Sequence, residues 1–345
     1  MSLTTRLRSL ARTLLRISCV PLITMLGVGL VSAGGRPEQP ATADRPEPVT
    51  LMLDWVPNVN HTGLYVARDR GFFEAEGLDV RIVEPGEVYA SAAVVGGLAD
   101  FGIDFQESVT LLQADVVPIV SIAAILQTNT SGFATRAADR ITSPAGFAGL
   151  TYGTFNSPYE EPTIDALVRC SGGDPSGIRY VTAGTDLLAM LSQGQADFVW
   201  IFYGTQGFQA KRIGLDLTYF PLNEYADCIP DYYSPLVVAS ERTVAERPDL
   251  TRRFIRALER AHAFVIDRPA EAASILARAV PELDAAELEQ SVPWLAMHLV
   301  MDAPGWGYQR SEVWQRYADW LGSVGILTGR FDAESAFTNE FLSVR

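Results

Sequence analysis

Aromatic, amide and imidazole side chains are grouped directly after the first predicted strand of the chain. The strand is the apolar run at residues 49–54, and Trp55, Asn58, Asn60 and His61 follow it in a short loop. Ligands of α/β proteins bind at the carboxyl ends of strands, so this loop is a candidate binding site. A stacking ring beside amide and imidazole groups suits a flat, polar heterocycle better than a sugar or a metal ion. The structural alternative is a tryptophan that closes a core beside a polar turn.

Further polar and aromatic candidates follow other predicted strands. They are Gln106, Glu107, Asn156, Tyr159, Glu161, Tyr203, Tyr232 and Tyr233. Gln106 and Glu107 are candidates for hydrogen bonds to a ring amine. Glu160 and Glu161 open a predicted helix, where one carboxylate favours the helix dipole and the other is a candidate partner for a protonated or amino-substituted heterocycle. Tyr203 supplies an aromatic face at the end of its strand.

Strands that alternate with helices must position these residues. Strands are predicted at 49–54, 79–83, 101–104, 119–125, 150–155, 178–181 and 196–202. This alternation predicts an α/β protein with parallel sheets and helices on both faces. A Gly-x-Ala-Asp-Phe-x-x-x-Phe pattern occurs at 97–105 and again at 194–202, which favours two similar lobes that face each other. The alternative is a chance repeat of a common helix-turn-strand segment.

The C-terminal third has helical periodicity. Apolar residues recur at helical spacing within 248–267, and further helices are predicted at 270–279, 285–300 and around 313–321. Trp294, Trp314 and Trp320 lie on these helices. They are interpreted as packing residues rather than ligand contacts.

Residues 54–80 resemble the first strand, loop and helix of a known family. It comprises substrate-binding proteins related to thiamine-pyrimidine precursor import, together with pyrimidine synthases and riboflavin-binding members. The matching residues are Asp54, Trp55, Pro57, Asn58, Asn60, His61, Thr62, Gly63, Leu64 and Tyr65, then Gly71, Phe72, Phe73, Gly77, Leu78, Asp79 and Val80. The second group is shared by many importer binding proteins, whereas the first is much narrower. The similarity extends from about residue 49 to the C-terminus.

The resemblance implies a two-lobed, type II-like periplasmic-binding-protein fold with the ligand in the cleft between the lobes. Residues 49–147 and 235–345 are expected to form lobe 1, and residues 148–234 lobe 2. In the family, the tyrosine-containing stretch before the return to lobe 1 lies beside the ligand, which favours contact by Tyr232 and Tyr233. Closure of the lobes hides a ligand from water and presents both lobes to a membrane permease.

The resemblance also implies the ligand class, an aromatic heterocyclic vitamin or vitamin precursor. The Asn-His-Thr-Gly loop is similar to that of proteins that bind aminopyrimidine precursors of thiamine, such as formylaminopyrimidine or hydroxymethylpyrimidine. Riboflavin is the alternative, because a larger cleft would use the same stacking residues. No arginines cluster near these loops, which argues against sulfonate or nitrate. The predicted function is the substrate-binding component of an ABC importer, a monomer without cofactor; delivery of the ligand to a signalling receptor is a further alternative.

A pyrimidine synthase-type enzyme is the distant alternative. The yeast-type synthases of the family are cytosolic and combine pyridoxal phosphate, iron and a cysteine-rich stretch, and a pyridoxal enzyme uses a lysine for its Schiff base. This chain has a single lysine, Lys211, and no cysteine cluster. Its three histidines are scattered and show no metal-ligand spacing. We therefore predict a binding protein without a metal site rather than an enzyme.

The N-terminus has the three parts of an export signal. Residues 1–33 contain four arginines and no acid, then an apolar run of 15 residues and a small-residue cleavage site. This pattern predicts a cleaved signal peptide, with an uncleaved membrane anchor as the alternative. Residues 34–48 contain four prolines and are predicted to be a flexible linker. The protein is therefore expected to be exported, either periplasmic or at the cell surface.

The charge balance is strongly acidic. The formal net charge is -14, and it becomes about -18 when the four N-terminal arginines are removed, leaving 23 basic against 41 acidic residues. Such an excess argues against nucleic acid and anionic membrane surfaces as partners.

Two cysteines, Cys170 and Cys228, follow the predicted signal. In an oxidising compartment they can pair, but sequence alone leaves open whether their α-carbons approach within bonding range. The favoured interpretation is a free pair of small core residues.

Overall fold

The computed structural model describes residues 45–86, 88–184 and 186–344. The predicted signal peptide and residues 34–44 of the predicted linker lie outside the described residues. The linker is predicted to continue to residue 48, whereas the first strand already begins at Glu47. The Glu47 carboxylate pairs with Arg247 at 2.8 Å and with Arg253, which anchors the start of that strand. Within the described residues, no helix is long and apolar enough to cross a membrane.

Two five-stranded sheets form the centre of the described chain. The strands are β1 (Glu47–Met52), β2 (Leu78–Val83), β3 (Phe101–Asp104), β4 (Ile119–Ala124), β5 (Ser131–Arg136), β6 (Thr151–Thr154), β7 (Arg179–Thr182), β8 (Phe198–Phe202), β9 (Leu217–Pro221) and β10 (Leu236–Ser240). The first sheet has the order β2-β1-β3-β10-β4 and the second the order β7-β6-β8-β5-β9. In each sheet four strands run in the same direction, and one strand, β10 or β5, is antiparallel to both of its neighbours. The predicted two-lobed α/β architecture is confirmed.

The chain enters the second sheet earlier than predicted. We term the part built on the first sheet lobe 1 and the part built on the second sheet lobe 2. β5 pairs with β8 and β9 in the second sheet, although its residues are predicted to belong to lobe 1. The crossing therefore lies between β4 and β5, before residue 148, and the prediction of this boundary is wrong. β10, which begins at Leu236, returns the chain to the first sheet.

Helices cover the faces of both sheets. They are α1 (Thr62–Asp69), α2 (Phe72–Ala75), α3 (Ala90–Val95), α4 (Gln106–Ala114), α5 (Glu160–Cys170), α6 (Leu187–Ser192), α7 (Phe208–Arg212), α8 (Glu241–Glu246), α9 (Pro248–Asp267), α10 (Pro269–Ala279), α11 (Ala285–Ala296), α12 (Ser311–Ser323) and α13 (Ala333–Ala336). The apolar face of α9 is buried against the first sheet, where Phe254 stacks on Phe101 at a centroid distance of 4.0 Å. The periodicity of residues 248–267 therefore predicts this helix correctly.

The helix α12 packs on both lobes. Trp314 is fully buried against the first sheet, whereas Tyr317, Trp320 and Leu321 pack in the core of lobe 2. The assignment of residues 235–345 to lobe 1 is therefore wrong for this helix, because its two faces contact different lobes. Trp314 and Trp320 are packing residues, as predicted.

The repeated Gly-x-Ala-Asp-Phe pattern marks equivalent positions in the two lobes. The carboxylate of Asp100, just before β3, accepts a hydrogen bond from the Thr50 N–H at 2.8 Å. The carboxylate of Asp197, just before β8, accepts one from the Thr151 N–H at 2.9 Å. The glycine three residues before each aspartate has a positive φ, which glycine adopts without steric cost. Each aspartate thus joins two neighbouring parallel strands, and the predicted similarity of the lobes is confirmed.

The lobes contact each other through α7 of lobe 2 and α11 of lobe 1. Arg212 Nε lies 3.1 Å from the Glu287 carboxylate. The ring of Trp294 packs against that of Tyr203 at a centroid distance of 5.4 Å. A β-carbon on Gly204 would lie 2.9 Å from the Trp294 ring, so glycine is needed for this close approach. Trp294 is therefore a packing residue at the junction of the lobes.

Cys170 and Cys228 form a disulfide bond. Their α-carbons are 5.8 Å apart, and 58 residues separate them in sequence. Cys170 is exposed at the end of α5, and Cys228 is half-buried. The interpretation as a free pair of core residues is therefore wrong. The bond connects the end of α5 to the segment that leads to Tyr232.

Candidate functional site

The loop after β1 is held by hydrogen bonds among its own polar groups. Asn58 Oδ1 accepts from the Asn60 N–H at 3.0 Å, and the Asn58 N–H donates to His61 Nδ1 at 3.1 Å. Because Nδ1 accepts, the ring proton lies on Nε2, which donates to Asp54 Oδ1 at 2.6 Å. Asn58, Asn60 and His61 are all buried, whereas Trp55 is 42% exposed. The buried network therefore fixes a loop in which the Trp55 ring is exposed.

Two aromatic pairs span the gap between the lobes. The Trp55 ring of lobe 1 meets the Phe155 ring of lobe 2 edge to face, with centroids 6.3 Å apart. Phe105 of lobe 1 stacks on Phe202 of lobe 2 at 5.8 Å. Phe105 and Phe155 directly follow strands, Phe202 ends one, and Trp55 lies three residues after another, so the carboxyl ends of β1, β3, β6 and β8 face one another. The cleft between the lobes is therefore lined by aromatic rings from both sides.

Two buried carboxyl groups, Asp104 and Glu107, lie beside these rings. Asp104 accepts from the Phe105 N–H at 2.8 Å, and Glu107 Oε1 accepts from the Tyr232 hydroxyl at 2.7 Å. Burial raises the pKa of each carboxyl to about 7, and a neighbouring carboxylate contributes to each shift: Asp54 acts on Asp104, and Asp104 acts on Glu107. Three acidic side chains thus converge on the lobe 1 side of the cleft.

Tyrosines close this acidic group from lobe 2. Tyr159 stands at the start of α5, and its ring meets Trp200 edge to face at 6.1 Å. Burial raises the pKa of the Tyr159 hydroxyl above its usual range, and the charges of Glu107 and Asp104 raise it further. The pKa of Tyr232 is raised in the same way by burial and by Glu107. The Tyr159 and Tyr232 rings therefore face the carboxyl groups and remain protonated hydrogen-bond donors.

Gln106 and Tyr233 are hydrogen-bonded to each other behind the cleft. Gln106 Oε1 accepts from the Tyr233 N–H at 2.9 Å, and the Tyr233 hydroxyl accepts from the Arg310 N–H at 3.0 Å. Tyr233 packs in the lobe 1 core with Trp314. Gln106 is fully buried, and its Nε2 has no hydrogen-bond partner among the described residues. The bond from the Tyr233 backbone to the Gln106 side chain thus holds the segment just before β10 against α4.

The two neighbouring glutamates at the start of α5 have different environments. Glu160 is 3% exposed, and its carboxylate accepts from the Tyr152 hydroxyl at 2.7 Å, the Thr154 hydroxyl at 2.8 Å, and the backbone N–H groups of residues 155 and 157. Glu161 is exposed and lies near Tyr180 on the outer strand β7. Glu160, rather than Glu161, therefore organises the loop that carries Phe155 and Tyr159.

Asn156 and Tyr203 lie at the edges of the cleft. Asn156 is exposed and has a φ of 64°, a conformation that Asn tolerates better than most residues. Tyr203 begins a π-helical turn, Tyr203–Gly207, and packs against Tyr219 at 4.8 Å as well as against Trp294. The Tyr203 ring therefore belongs to the junction of the lobes.

The structure thus brings together only part of the predicted set. Trp55, Glu107, Tyr159 and Tyr232 surround one cleft, and Asn58, Asn60 and His61 shape its first loop. Gln106 and Tyr233 lie behind it, Tyr203 beside it, and Glu161 points away from it.

The predicted set of ligand contacts omits five residues of this cleft, although each stands at or next to a predicted strand end. They are Asp54, Asp104, Phe105, Phe155 and Phe202. In the described part of the chain, no group of three or more His, Cys, Asp or Glu side chains is arranged to hold a metal ion. The cleft therefore offers carboxyl and phenol groups between rings, which suits an organic ring with N–H donors.

Residues 58–272 match the profile of the family described as NMT1/THI5 like. The chain is 30% identical to the formylaminopyrimidine-binding protein of Halalkalibacterium halodurans, over 85% of this chain and 90% of the relative. It is 23% identical to the riboflavin-binding protein RibY of Chloroflexus aurantiacus, over 95% and 98% of the two chains. It is also 23% identical to a 4-amino-5-hydroxymethyl-2-methylpyrimidine phosphate synthase of Legionella pneumophila, over 85% and 92%.

Solved structures of periplasmic binding proteins share the fold. The nitrate-binding protein NrtA of Synechocystis PCC 6803 superposes with a TM-score of 0.68 at 13% identity, over 85% of this chain and 86% of that chain. The alkanesulfonate-binding protein SsuA of Xanthomonas axonopodis pv. citri superposes with a TM-score of 0.65 at 15% identity, over 86% and 99%. The two-lobed periplasmic-binding-protein fold is thereby confirmed.

Proposed function

The chain belongs to the NMT1/THI5-like family, and from that premise we propose that it is the extracytoplasmic substrate-binding component of an ABC importer. We propose an aminopyrimidine precursor of thiamine as its ligand, of the formylaminopyrimidine or hydroxymethylpyrimidine type. The ligand occupies the cleft between the lobes, and the closed protein presents both lobes to a membrane permease.

The observation that carries this proposal is the group of carboxyls enclosed by aromatic rings. Among the described residues, His61 is the basic residue that pairs with any of Asp54, Asp104 and Glu107. An aminopyrimidine presents N–H donors to such a group, and exposed rings such as those of Trp55 and Phe155 offer its flat ring a stacking surface. Hydrogen bonds to a charged acceptor are about twice as strong as those between neutral groups, so these carboxylates favour an amino-substituted ring.

The same carboxylates disfavour the alternative ligands. The pyrimidine edge of riboflavin presents one N–H between two carbonyl oxygens, so the donor offered to Asp104 and Glu107 is flanked by acceptors that repel a carboxylate. Sulfonate and nitrate are anions and would be repelled by the group. Specificity of this kind arises from unpaired or repelling polar groups as well as from attraction.

The position of the single lysine also favours binding over catalysis. Lys211 is exposed on α7, and its Nζ lies 4.7 Å from the centre of the Phe208 ring and 5.2 Å from that of Tyr203. It therefore belongs to the junction of the lobes, whereas a Schiff-base lysine must reach the ligand. The structure of this site gives no support to a pyridoxal phosphate enzyme.

The disulfide supports the proposed export. Structural disulfides persist in the periplasm and outside the cell and are rare in the cytosol. The bond between Cys170 and Cys228 is therefore consistent with the predicted signal at residues 1–33 and with an extracytoplasmic binding protein.

Titration of the purified protein with hydroxymethylpyrimidine, formylaminopyrimidine, thiamine and riboflavin tests the ligand. We expect the aminopyrimidines to raise the melting temperature, because a ligand at 100 times its Kd stabilises the folded state by about 2.7 kcal/mol. Stabilisation by riboflavin with quenching of its fluorescence would instead support the flavin alternative. The absence of any response to all four compounds would contradict the proposed ligand class.

Substitution Trp55→Ala tests the stacking surface. We expect at least tenfold weaker binding of the aminopyrimidine, about 1.4 kcal/mol, because both the aromatic contact and its buried area are lost. Leu98→Ala is the matched control, since Leu98 is 67% exposed and lies at the opposite end of β3 from the cleft. Equal affinity of Trp55→Ala and wild type in a fluorescence titration would remove Trp55 from the site.

A further inference from the structure

Glu107 has a buried carboxylate oxygen that no described group satisfies. Its Oε1 accepts from the Tyr232 hydroxyl, whereas its Oε2 has no hydrogen-bond partner among the described residues. The side chain is only 4% exposed, so contact with bulk water is small. An unpaired buried acceptor costs about 1–3 kcal/mol, and more when it is charged. A proton, or an N–H donor of a ligand, removes that cost.

The groups that face Glu107 are acidic or phenolic. They are Asp104 at the end of β3, Tyr159 at the start of α5, Tyr232 before β10 and Tyr317 of α12, with Asp54 and His61 adjoining Asp104. Within the described part of the chain, no arginine or lysine forms an ion pair with Glu107 or Asp104. A cation or a proton is therefore the missing partner of this group.

Glu107 and Asp104 exchange a proton with solvent near neutral pH. Burial, together with the charge of a neighbouring carboxylate, raises the pKa values of Glu107 and of Asp104 to about 7. Two coupled carboxyls titrate as a unit, so the empty cleft loses a proton from this pair as the pH rises through neutrality.

We propose that ligand binding is coupled to a proton: the closed complex holds one proton between Glu107 Oε2 and a ring nitrogen, so that the aminopyrimidine is bound as its cation. This inference rests on the proposed function. In the step, the O–H bond of the Glu107 carboxyl breaks and its electron pair stays on Oε2, while the proton forms an N–H bond with the ring nitrogen. The amidinium so formed presents two parallel N–H donors to a carboxylate.

Proton coupling predicts the direction in which the affinity changes with pH. Above neutral pH, the empty cleft and the free ligand both lack the proton that the complex holds, so binding takes up one proton. The affinity therefore falls as the pH rises, by up to about tenfold per pH unit. A neutral ligand bound by a carboxylate that keeps its protonation state would show no such dependence.

The test measures hydroxymethylpyrimidine binding to the protein by calorimetry between pH 6.5 and 9, in two buffers with different ionisation enthalpies. We expect the Kd to rise by at least tenfold across this range, with close to one proton taken up per ligand at the alkaline end. An unchanged Kd with no proton uptake would overturn this inference and leave the proposed function in place. The absence of binding at every pH would overturn both.

Two variants locate the proton. Glu107→Gln keeps the hydrogen bond from Tyr232 but cannot titrate, and we expect it to abolish the alkaline loss of affinity. Asp104→Asn removes the neighbouring charge, so we expect the midpoint of the pH profile to move to lower pH. Glu161→Gln, which removes an exposed acid of α5, should leave the profile unchanged. A wild-type profile in Glu107→Gln would overturn the assignment to Glu107.

Discussion

Glu160→Gln is expected to lower the free energy of unfolding by about 3 kcal/mol. The Glu160 carboxylate is 3% exposed and accepts four hydrogen bonds, two on each oxygen. Each oxygen faces one backbone N–H, which cannot reverse its direction. A glutamine amide must place its own NH₂ group opposite one of these N–H groups. The variant therefore buries a backbone donor against another donor.

The neighbouring glutamate provides the control for this prediction. Glu161→Gln changes the same functional group one residue further along α5, but Glu161 is exposed, so its effect should stay within about 0.5 kcal/mol. Urea denaturation of the two variants and the wild type measures the difference. Equal midpoints for all three would show that the Glu160 network contributes nothing to stability.

The Glu160 network also connects the fold to the cleft. Its two backbone bonds go to Phe155 and Ser157, and these residues flank the turn that places Phe155 against Trp55 and Tyr159 towards Glu107. Loosening this turn should weaken aminopyrimidine binding together with stability in Glu160→Gln. A variant that loses stability but binds as tightly as wild type would show that the loop is positioned by other contacts.

Glu160 and Glu161 also illustrate how far the sequence can define the site. Two adjacent acids at a helix start are equivalent in sequence, and Glu161 was the predicted ligand contact. The difference arises from Tyr152 and Thr154 on β6, whose hydroxyls lie within bonding distance of Glu160 in the folded chain. Asp104 was missed for a similar reason, because Asp54 approaches it only when β1 and β3 are neighbours in the sheet.

Pattern reasoning missed β5, β9 and β10, and the sequence of β5 shows why that strand was missed. β5 contains Ser131, Gly132 and Thr135 and is nevertheless buried along most of its length. A β-carbon on Gly132 would lie 2.3 Å from the Phe220 carbonyl oxygen, so the close pairing with β9 requires glycine. β9 is an edge strand that ends in Pro221. Small polar residues that are buried between two strands leave no hydrophobic signal in the sequence. Because β5 was not recognised as a strand, the predicted boundary between the lobes lies too late in the chain.

Loss of the disulfide is expected to reduce stability strongly but ligand affinity little. A bond that closes 58 residues restricts the unfolded chain, and the chain-entropy treatment gives about 4 kcal/mol for a loop of this length, within a usual range of about 2–5 kcal/mol. Cys170→Ser with Cys228→Ser should therefore lower the melting temperature by several degrees. The measurement is thermal unfolding with and without reductant, and the double variant should not respond to reductant.

The affinity should survive because other bonds hold the segment beside the cleft. Asp231, three residues after Cys228, accepts from the Thr128 hydroxyl at 2.5 Å and from the Asn129 N–H at 2.9 Å. These bonds tie Tyr232 to the crossing between the lobes independently of the disulfide. We therefore expect the Kd for hydroxymethylpyrimidine to change less than threefold in the double variant. A tenfold loss would show that the disulfide positions Tyr232, whereas an unchanged melting temperature would show that it does not stabilise the fold.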